Sequence, residues 1–141
     1  MIIGIVSGYF NPLHLGHLEY IEAAKKQCDH LIVIVNNDLQ VELKGSKKFM
    51  DEVHRYKIMF SLKNVDDVMV SIDTDKTVCG TINFIRTSFP EHDMYFFNSG
   101  DRIGENNIES SEVILCKKLG IKYVAIDLPK KYYSSQLLKS I

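Results

Sequence analysis

Two histidines three residues apart are the side chains of this sequence best suited to chemistry. They close a loop that reads Gly8-Tyr9-Phe10-Asn11-Pro12-Leu13-His14-Leu15-Gly16-His17. Imidazole N–H groups are hydrogen-bond donors, and two of them at a helix entrance can bind one phosphate group while charge builds on it. Gly16 lets a ligand approach the backbone closely, and helix N-termini attract anions. The spacing therefore predicts an anion site at His14 and His17.

A histidine pair at this spacing can also have a capping role or a metal-binding role. A His-x-x-His pair is often only the polar start of a capped helix. Zinc is the second alternative, but it usually takes three or four side-chain ligands. The remaining histidines, His30, His54 and His92, lie at no matching spacing. We therefore predict no metal-ligand set, and the position of the pair after an apolar segment favours the anion site.

A lysine-rich stretch, Lys44-Gly45-Ser46-Lys47-Lys48, supplies local positive charge. Lys44 is predicted to reach over the bound phosphates, with Lys47 or Lys48 as a substitute. A solvated run of charge is the alternative.

Polar residues near the other end of the chain could complete the anion site. Ser134 and Ser135 precede an apolar stretch. Their hydroxyl and backbone N–H groups could bind outer phosphates, cap a helix, or do both. Asp101 could bind a ligand or only stabilise a turn, and Arg102 could face the anions.

Five apolar segments alternate with helical patterns and indicate how these side chains are positioned. Their continuous rather than alternating apolarity favours strands covered on both faces of a parallel sheet. We predict strands at 1–7, 31–35, 68–70, 94–97 and 123–126, helices at 17–28, 51–63, 77–88, 111–119 and 134–141, and a loop over 36–50. This order predicts a single doubly wound, Rossmann-like α/β domain over residues 1–141, with a five-stranded parallel sheet and flanking helices.

Ligands of such sheets bind beyond the carboxyl ends of the strands, where the winding direction changes. The site is therefore expected to gather the loops after strands one, two, four and five. These loops span 8–17, 36–50, 98–104 and 129–135.

Composition excludes several classes of protein. The chain has 141 residues, 45% of them hydrophobic, which is ordinary for one globular domain. A net charge of -1 argues against nucleic acid as a partner. The apolar start is too short for a signal peptide or a membrane span, so we expect a cytoplasmic protein with no membrane partner. Cys28, Cys79 and Cys116 are expected to be free, buried thiols within helices.

These motifs together resemble the cytidylyltransferase-like nucleotidyltransferases, whose signature is a Gly-x-Phe-Asp/Asn loop followed by His-x-Gly-His. The resemblance extends through Val35-Asn36-Asn37-Asp38, Asp51-Glu52-Val53-His54-Arg55, Asn98-Ser99-Gly100-Asp101-Arg102 and Tyr133-Ser134-Ser135. It is greatest to the branch of glycerol-3-phosphate cytidylyltransferases and heptose-phosphate adenylyltransferases. This chain has Asn11 where that branch usually has Asp, and Asn11-Pro12 is more similar to nicotinamide mononucleotide adenylyltransferases.

The resemblance implies site residues in three groups. Catalytic roles fall to His14, His17 and Lys44. Nucleotide binding is implied for Gly8, Tyr9, Phe10, Gly16, Asp101, Arg102, Ser134 and Ser135. Asp101 would meet the ribose, the base or a hydrated Mg²⁺ ion. Acceptor binding falls to Asn11, Lys47 and Arg55, and Arg55 matches a family arginine that meets the acceptor phosphate. A surface Arg55 paired with Glu52 is the alternative.

The reaction implied by the resemblance is transfer of a nucleoside monophosphate from a nucleoside triphosphate, with Mg²⁺, to a small phosphorylated acceptor. The overall layout favours CTP, and ATP is the alternative. Polyol, sugar and alcohol phosphates are the expected acceptors, and a homodimer is expected because relatives commonly form one. A catalytically silent nucleotide-binding module is the rival, whereas a class I aminoacyl-tRNA synthetase is excluded by length and charge.

Overall fold

Five parallel strands form one sheet in a computed structural model that describes residues 1–99 and 111–126. The strand order is β3-β2-β1-β4-β5. The elements are β1 (Ile2–Gly8), α1 (Leu15–Lys25), β2 (His30–Val35), α2 (Asp38–Lys44), α3 (Glu52–Phe60), β3 (Asp67–Val70), α4 (Cys79–Ser88), β4 (Asp93–Ser99), α5 (Ser111–Leu119) and β5 (Lys122–Ile126). The predicted α/β class and five-stranded parallel sheet are confirmed.

Helices pack on both faces of the sheet, which explains the continuous apolar runs of the central strands. All of Leu31–Val35 in β2 is buried. Tyr20 and Ile21 of α1 and Met59 of α3 join one apolar cluster. The other face is covered mainly by α4 and α5, through Ile82, Ile85 and Cys116. Each buried aliphatic side chain contributes about 1.5–3 kcal/mol, so the two clusters fix the sheet firmly.

The carboxyl ends of four strands lie along one edge of the sheet, as the predicted site requires. Gly8 at the end of β1 pairs in register with Val35 at the end of β2. On the other side of β1, β4 and β5 end together with Ser99 opposite Ile126. The winding direction changes between β1 and β4, so the loop after β1 begins at the switch point.

The predicted loop over 36–50 is wrong in part, because α2 occupies Asp38–Lys44. The Asn37 side chain accepts from the Gln40 backbone N–H, and the Gln40 side chain accepts from the Asn37 backbone N–H, which makes a capping box. Val41 is buried, and Gly45 ends the helix at φ +78°. These local signals outweigh the polar composition of the stretch.

Smaller differences concern helix ends and cysteines. The helix predicted over 17–28 spans Leu15–Lys25, so Cys28 lies beyond it. All three cysteines are free, but only Cys116 is fully buried. The predicted helix over 134–141 lies outside the described residues. Within the part of the chain that the structure describes, no helix is long and apolar enough to cross a membrane.

Candidate active site

His14 and His17 form a compact unit at the start of α1. The Nδ1 atom of His14 accepts from the Gly16 N–H at 3.0 Å, and the Nδ1 atom of His17 accepts from the His14 N–H at 3.2 Å. The two rings stack with centroids 3.8 Å apart. The pair is therefore a helix cap, as the first alternative supposed, and its local bonds also fix the two rings relative to each other.

These bonds determine where each neutral ring carries its hydrogen. An Nδ1 atom that accepts a backbone N–H has no hydrogen of its own, so the hydrogen lies on Nε2. Burial, with repulsion from His14 and Lys44, lowers the pKa of His17 to about 3. Burial also lowers the pKa of His14 below its ordinary value. Near pH 7 both rings are neutral and each has an Nε2–H to donate.

An aromatic ring packs against His17 of the pair. The Phe10 ring is 2% exposed and meets the His17 ring edge to face, with centroids 5.0 Å apart. It also packs against Gly8, where an added Cβ would lie 2.8 Å from the Phe10 ring. Phe10 has φ +48°, an uncommon value for a residue with a side chain. Gly8 and Phe10 therefore shape the loop that carries the histidines.

The end of α2 brings positive charge close to His14 and His17. The Lys44 ammonium lies 4.3 Å from the centre of the Tyr9 ring, a cation–π contact, and its repulsion contributes to the low pKa of His17. No acidic residue lies in the first turn of α1 to offset the positive end of that helix. The arrangement can hold a polyanion through two ring N–H groups and one ammonium.

Arg55 lies in the core of this region. Its side chain is 0% exposed and forms an ion pair with Asp38 at 2.8 Å. The guanidinium donates to the carbonyls of Tyr9 at 2.9 Å, Met50 at 3.0 Å, and Asn36. It therefore ties the ends of β1 and β2 to the start of α3. Binding an acceptor phosphate would require this enclosed group to become accessible, and that role stays a prediction.

The alternative for Arg55, a surface pair with Glu52, is wrong. Its ion-pair partner is Asp38, whose backbone N–H binds the Glu52 carboxylate at 2.9 Å. Asp38 also lies 3.7 Å from Lys48. Neither role of Asp38 was predicted, because a pair separated by 17 residues leaves no local signal. The capping box of Asn37 and Gln40, in contrast, has a local sequence signal, because its two residues are three positions apart.

The remaining predicted residues divide into two groups. The Asn11 amide binds the backbone of Lys47, Phe49 and Met50. Lys47 is exposed, with its ammonium 5.8 Å from the Phe49 ring. Four predicted nucleotide-binding residues lie outside the described residues: Asp101, Arg102, Ser134 and Ser135. The strands before those two segments end at the same sheet edge as β1.

The Mg²⁺ ion that the family resemblance implies would need ligands. Among residues 1–99 and 111–126, no group of three or more His, Cys, Asp or Glu side chains could hold a metal ion. The donor groups around His14 and His17 are N–H groups and an ammonium, which repel cations. The region of His14, His17 and Lys44 is therefore suited to a cation that enters already bound to the phosphate oxygens of a ligand. Oxygen atoms are the ligands that Mg²⁺ prefers.

Fold and site together define an α/β protein with paired imidazoles and an ammonium at the switch point of its sheet. The family model described as cytidylyltransferase-like matches residues 5–139. The chain belongs to this family, and it is a nucleotidyltransferase.

Three individual comparisons add detail. An FAD synthase of Aciduliprofundum boonei is 31% identical over 97% of this chain and 84% of its own length. The bifunctional protein HldE of Bradyrhizobium is 38% identical over 61% of this chain, which spans 18% of that relative. A crystal structure named as a lipopolysaccharide core biosynthesis protein from Thermoplasma volcanium superimposes with a TM-score of 0.66 at 26% identity. The superposition covers 89% of this chain and 96% of the Thermoplasma volcanium chain.

Proposed function

We propose that this nucleotidyltransferase transfers an adenylyl group from ATP to a small phosphate monoester. The observation that carries the phosphate chemistry is that both imidazoles at the start of α1 accept a backbone N–H at Nδ1, which leaves Nε2–H of each ring to donate. The choice of ATP is supported by the FAD synthase that matches 97% of the chain, since FAD joins an adenylyl group to a flavin phosphate. The resemblance in sequence favoured CTP, which becomes the alternative.

The reaction makes one bond and breaks one. An oxygen of the acceptor phosphate attacks the α-phosphorus of ATP, and the bond from that phosphorus to the bridging oxygen breaks to release pyrophosphate. No covalent enzyme intermediate is needed. Chemistry of this kind depends mainly on aligning the reactants and offsetting charge on the phosphoryl oxygens.

His14 and His17 are proposed to donate their Nε2–H groups to the phosphoryl oxygens as charge develops there. A neutral donor fixed by backbone bonds needs no rearrangement during the reaction. Lys44 is proposed to offset charge on the departing pyrophosphate. Mg²⁺, bound to the triphosphate, would neutralise further charge on those oxygens.

Pyrophosphate release tests the proposal. ATP and CTP are each incubated with Mg²⁺ and one of three acceptors: FMN, glycerol 3-phosphate or a sugar 1-phosphate. We expect release with ATP and one acceptor, with FMN tested first. Release with CTP alone would replace ATP by CTP. Nucleotide binding without release for any acceptor would identify a silent nucleotide-binding module instead.

Two further proposals complete this function. A homodimer is expected from the family resemblance, and light scattering after size exclusion tests it. Cytoplasmic localisation also stays a prediction, which fractionation of the source cells would test.

A further inference from the structure

The side-chain amide of Asn11 joins two loops that are far apart in the sequence. Its Nδ2 donates to the Lys47 carbonyl at 2.7 Å. Its Oδ1 accepts from the Phe49 N–H at 2.8 Å and the Met50 N–H at 3.3 Å. One amide therefore binds three backbone groups of the segment 47–50.

Little apolar burial holds this segment in place. Residues 42–49 are all exposed, between buried Val41 and half-buried Met50. Segments with few buried contacts open easily unless polar bonds fix them. Arg55 binds the carbonyl of Met50, and Lys48 lies 3.7 Å from Asp38. The Asn11 amide adds the bonds to the backbone of positions 47 and 49.

The complete set of three bonds requires an amide, since a carboxylate can keep only the two in which Asn11 accepts. Asparagine donates through one atom and accepts through the other, and both are used here. An ionised aspartate at position 11 could accept from the N–H groups but could not donate to the Lys47 carbonyl. Its second oxygen would face that carbonyl oxygen and be repelled. The departure from the Asp usual in the resembling branch thus has a physical consequence in this chain.

We propose that Asn11 is a positioning residue that holds the segment 47–50 against the first loop. By doing so it holds the chain after α2 close to the first loop, on the side where Lys44 lies against Tyr9 and near His17. Lys47 and Lys48 belong to the same exposed stretch, from which flexible side chains can reach the triphosphate. The acceptor contact predicted from the sequence for Asn11 stays a prediction, and the kinetics below distinguish it from the positioning role. The positioning role rests on the proposed function for its kinetic consequence, but the contact of Asn11 with the segment can be tested without catalysis.

Hydrogen exchange of the Phe49 and Met50 amides tests the contact directly. In Asn11→Ala we expect both amides to exchange about tenfold faster, since they lose their acceptor. Asn11→Asp, which keeps the acceptor and the size, should give a smaller increase. Asn83→Ala, an exposed asparagine of α4 on the other face of the sheet, is the control and should change neither amide. Unchanged exchange in Asn11→Ala would overturn the proposal.

Kinetics then separate positioning from acceptor binding. If Asn11 positions the lysines, Asn11→Ala raises KM for the nucleoside triphosphate about tenfold and changes kcat and the acceptor KM less than about twofold. A rise confined to the acceptor KM would overturn the proposal in favour of the acceptor contact. A fall in kcat alone would overturn it in favour of direct catalysis. Melting temperatures verify that each variant is folded.

Inorganic tripolyphosphate provides a readout that does not depend on the base or the acceptor. We expect Asn11→Ala to weaken its binding about tenfold by calorimetry and Asn83→Ala to leave it unchanged. If no acceptor supports transfer but this loss is observed, the proposed function fails while the positioning role stands. Equal affinity in all variants would overturn the positioning role.

Discussion

The first loop, residues 8–17, and the second loop, residues 45–51, are built in opposite ways. The histidines of the first loop are fixed by hydrogen bonds between residues two and three positions apart. The second loop is exposed over 45–49 and is bound through contacts such as that from Asn11 to Lys47, 36 residues apart. Donors to a reacting phosphoryl group need a fixed geometry, whereas lysines can reach their anion by side-chain flexibility.

The largest expected effect comes from removing the Nε2 donors of the first loop while keeping its local bonds. Asparagine caps helices well but cannot reach as far as an imidazole Nε2. We expect His14→Asn and His17→Asn to lower kcat roughly 100–1000-fold, as loss of a comparable oxyanion donor does. Steady-state kinetics with the active nucleotide measure this.

The control for these variants is stability. Unfolding in urea should show His14→Asn within about 1 kcal/mol of the wild type, because the cap is kept. Nearly full activity in either variant would remove the histidines from the proposed mechanism.

The second-largest effect is expected from removing the Arg55 guanidinium, which joins segments far apart in the sequence. Arg55→Leu leaves the Asp38 carboxylate and three backbone carbonyls without their partner. We expect the free energy of unfolding to fall by about 3 kcal/mol, at the low end for a buried ion pair because Asp38 is partly exposed. Chemical denaturation measures the loss.

Arg86→Leu is the matched control for Arg55→Leu. Arg86 binds the carbonyls of Phe89 and His92 away from the site. Its loss should cost about 1 kcal/mol. Equal losses in the two variants would contradict the structural role given to Arg55.

A smaller effect is expected from the flexible cation proposed for the phosphates. Lys44→Ala should raise KM for the nucleoside triphosphate about tenfold, and the difference from wild type should shrink at high salt. Lys57→Ala, which removes an exposed lysine from α3, is the control and should leave KM within about twofold. A KM unaffected by Lys44→Ala would assign Lys44 to the solvated charge run.

The smallest expected effect is a pH dependence of folding stability. It arises because His17 of the first loop is buried, whereas the lysines of the second loop are exposed. The pKa of His17 is about 3 in the folded protein and ordinarily 6.5. Between these values the unfolded chain binds more protons, so folding stability falls as pH falls below about 6.5. The contribution of His17 to this slope is at most about 1.4 kcal/mol per pH unit.

Urea unfolding between about pH 7.5 and 4.5 measures that slope, which should be shallower in His17→Asn. Identical slopes in wild type and variant would mean that His17 titrates normally in the folded protein.

Much of the fold was predictable because its signals are local. Runs such as Leu31–Val35 indicate strands buried on both faces, and the alternation with helices predicts the parallel sheet. The helix α2 was missed because its composition is polar, and its local signal is the Asn37 cap with Gln40 three residues later. The ion pair between Asp38 and Arg55 could not be predicted, since nothing in the sequence selects one carboxylate among several for a distant arginine.

The sequence by itself determined the doubly wound domain and the histidine pair at its first helix. Both follow from residues close together in the chain, whose periodicity and spacing can be read directly. The tertiary structure alone decided what Asn11 and Arg55 bind and how far the pKa of His17 falls. These properties arise from burial and from contacts between distant segments, so they exist only when the sheet has brought the loops together.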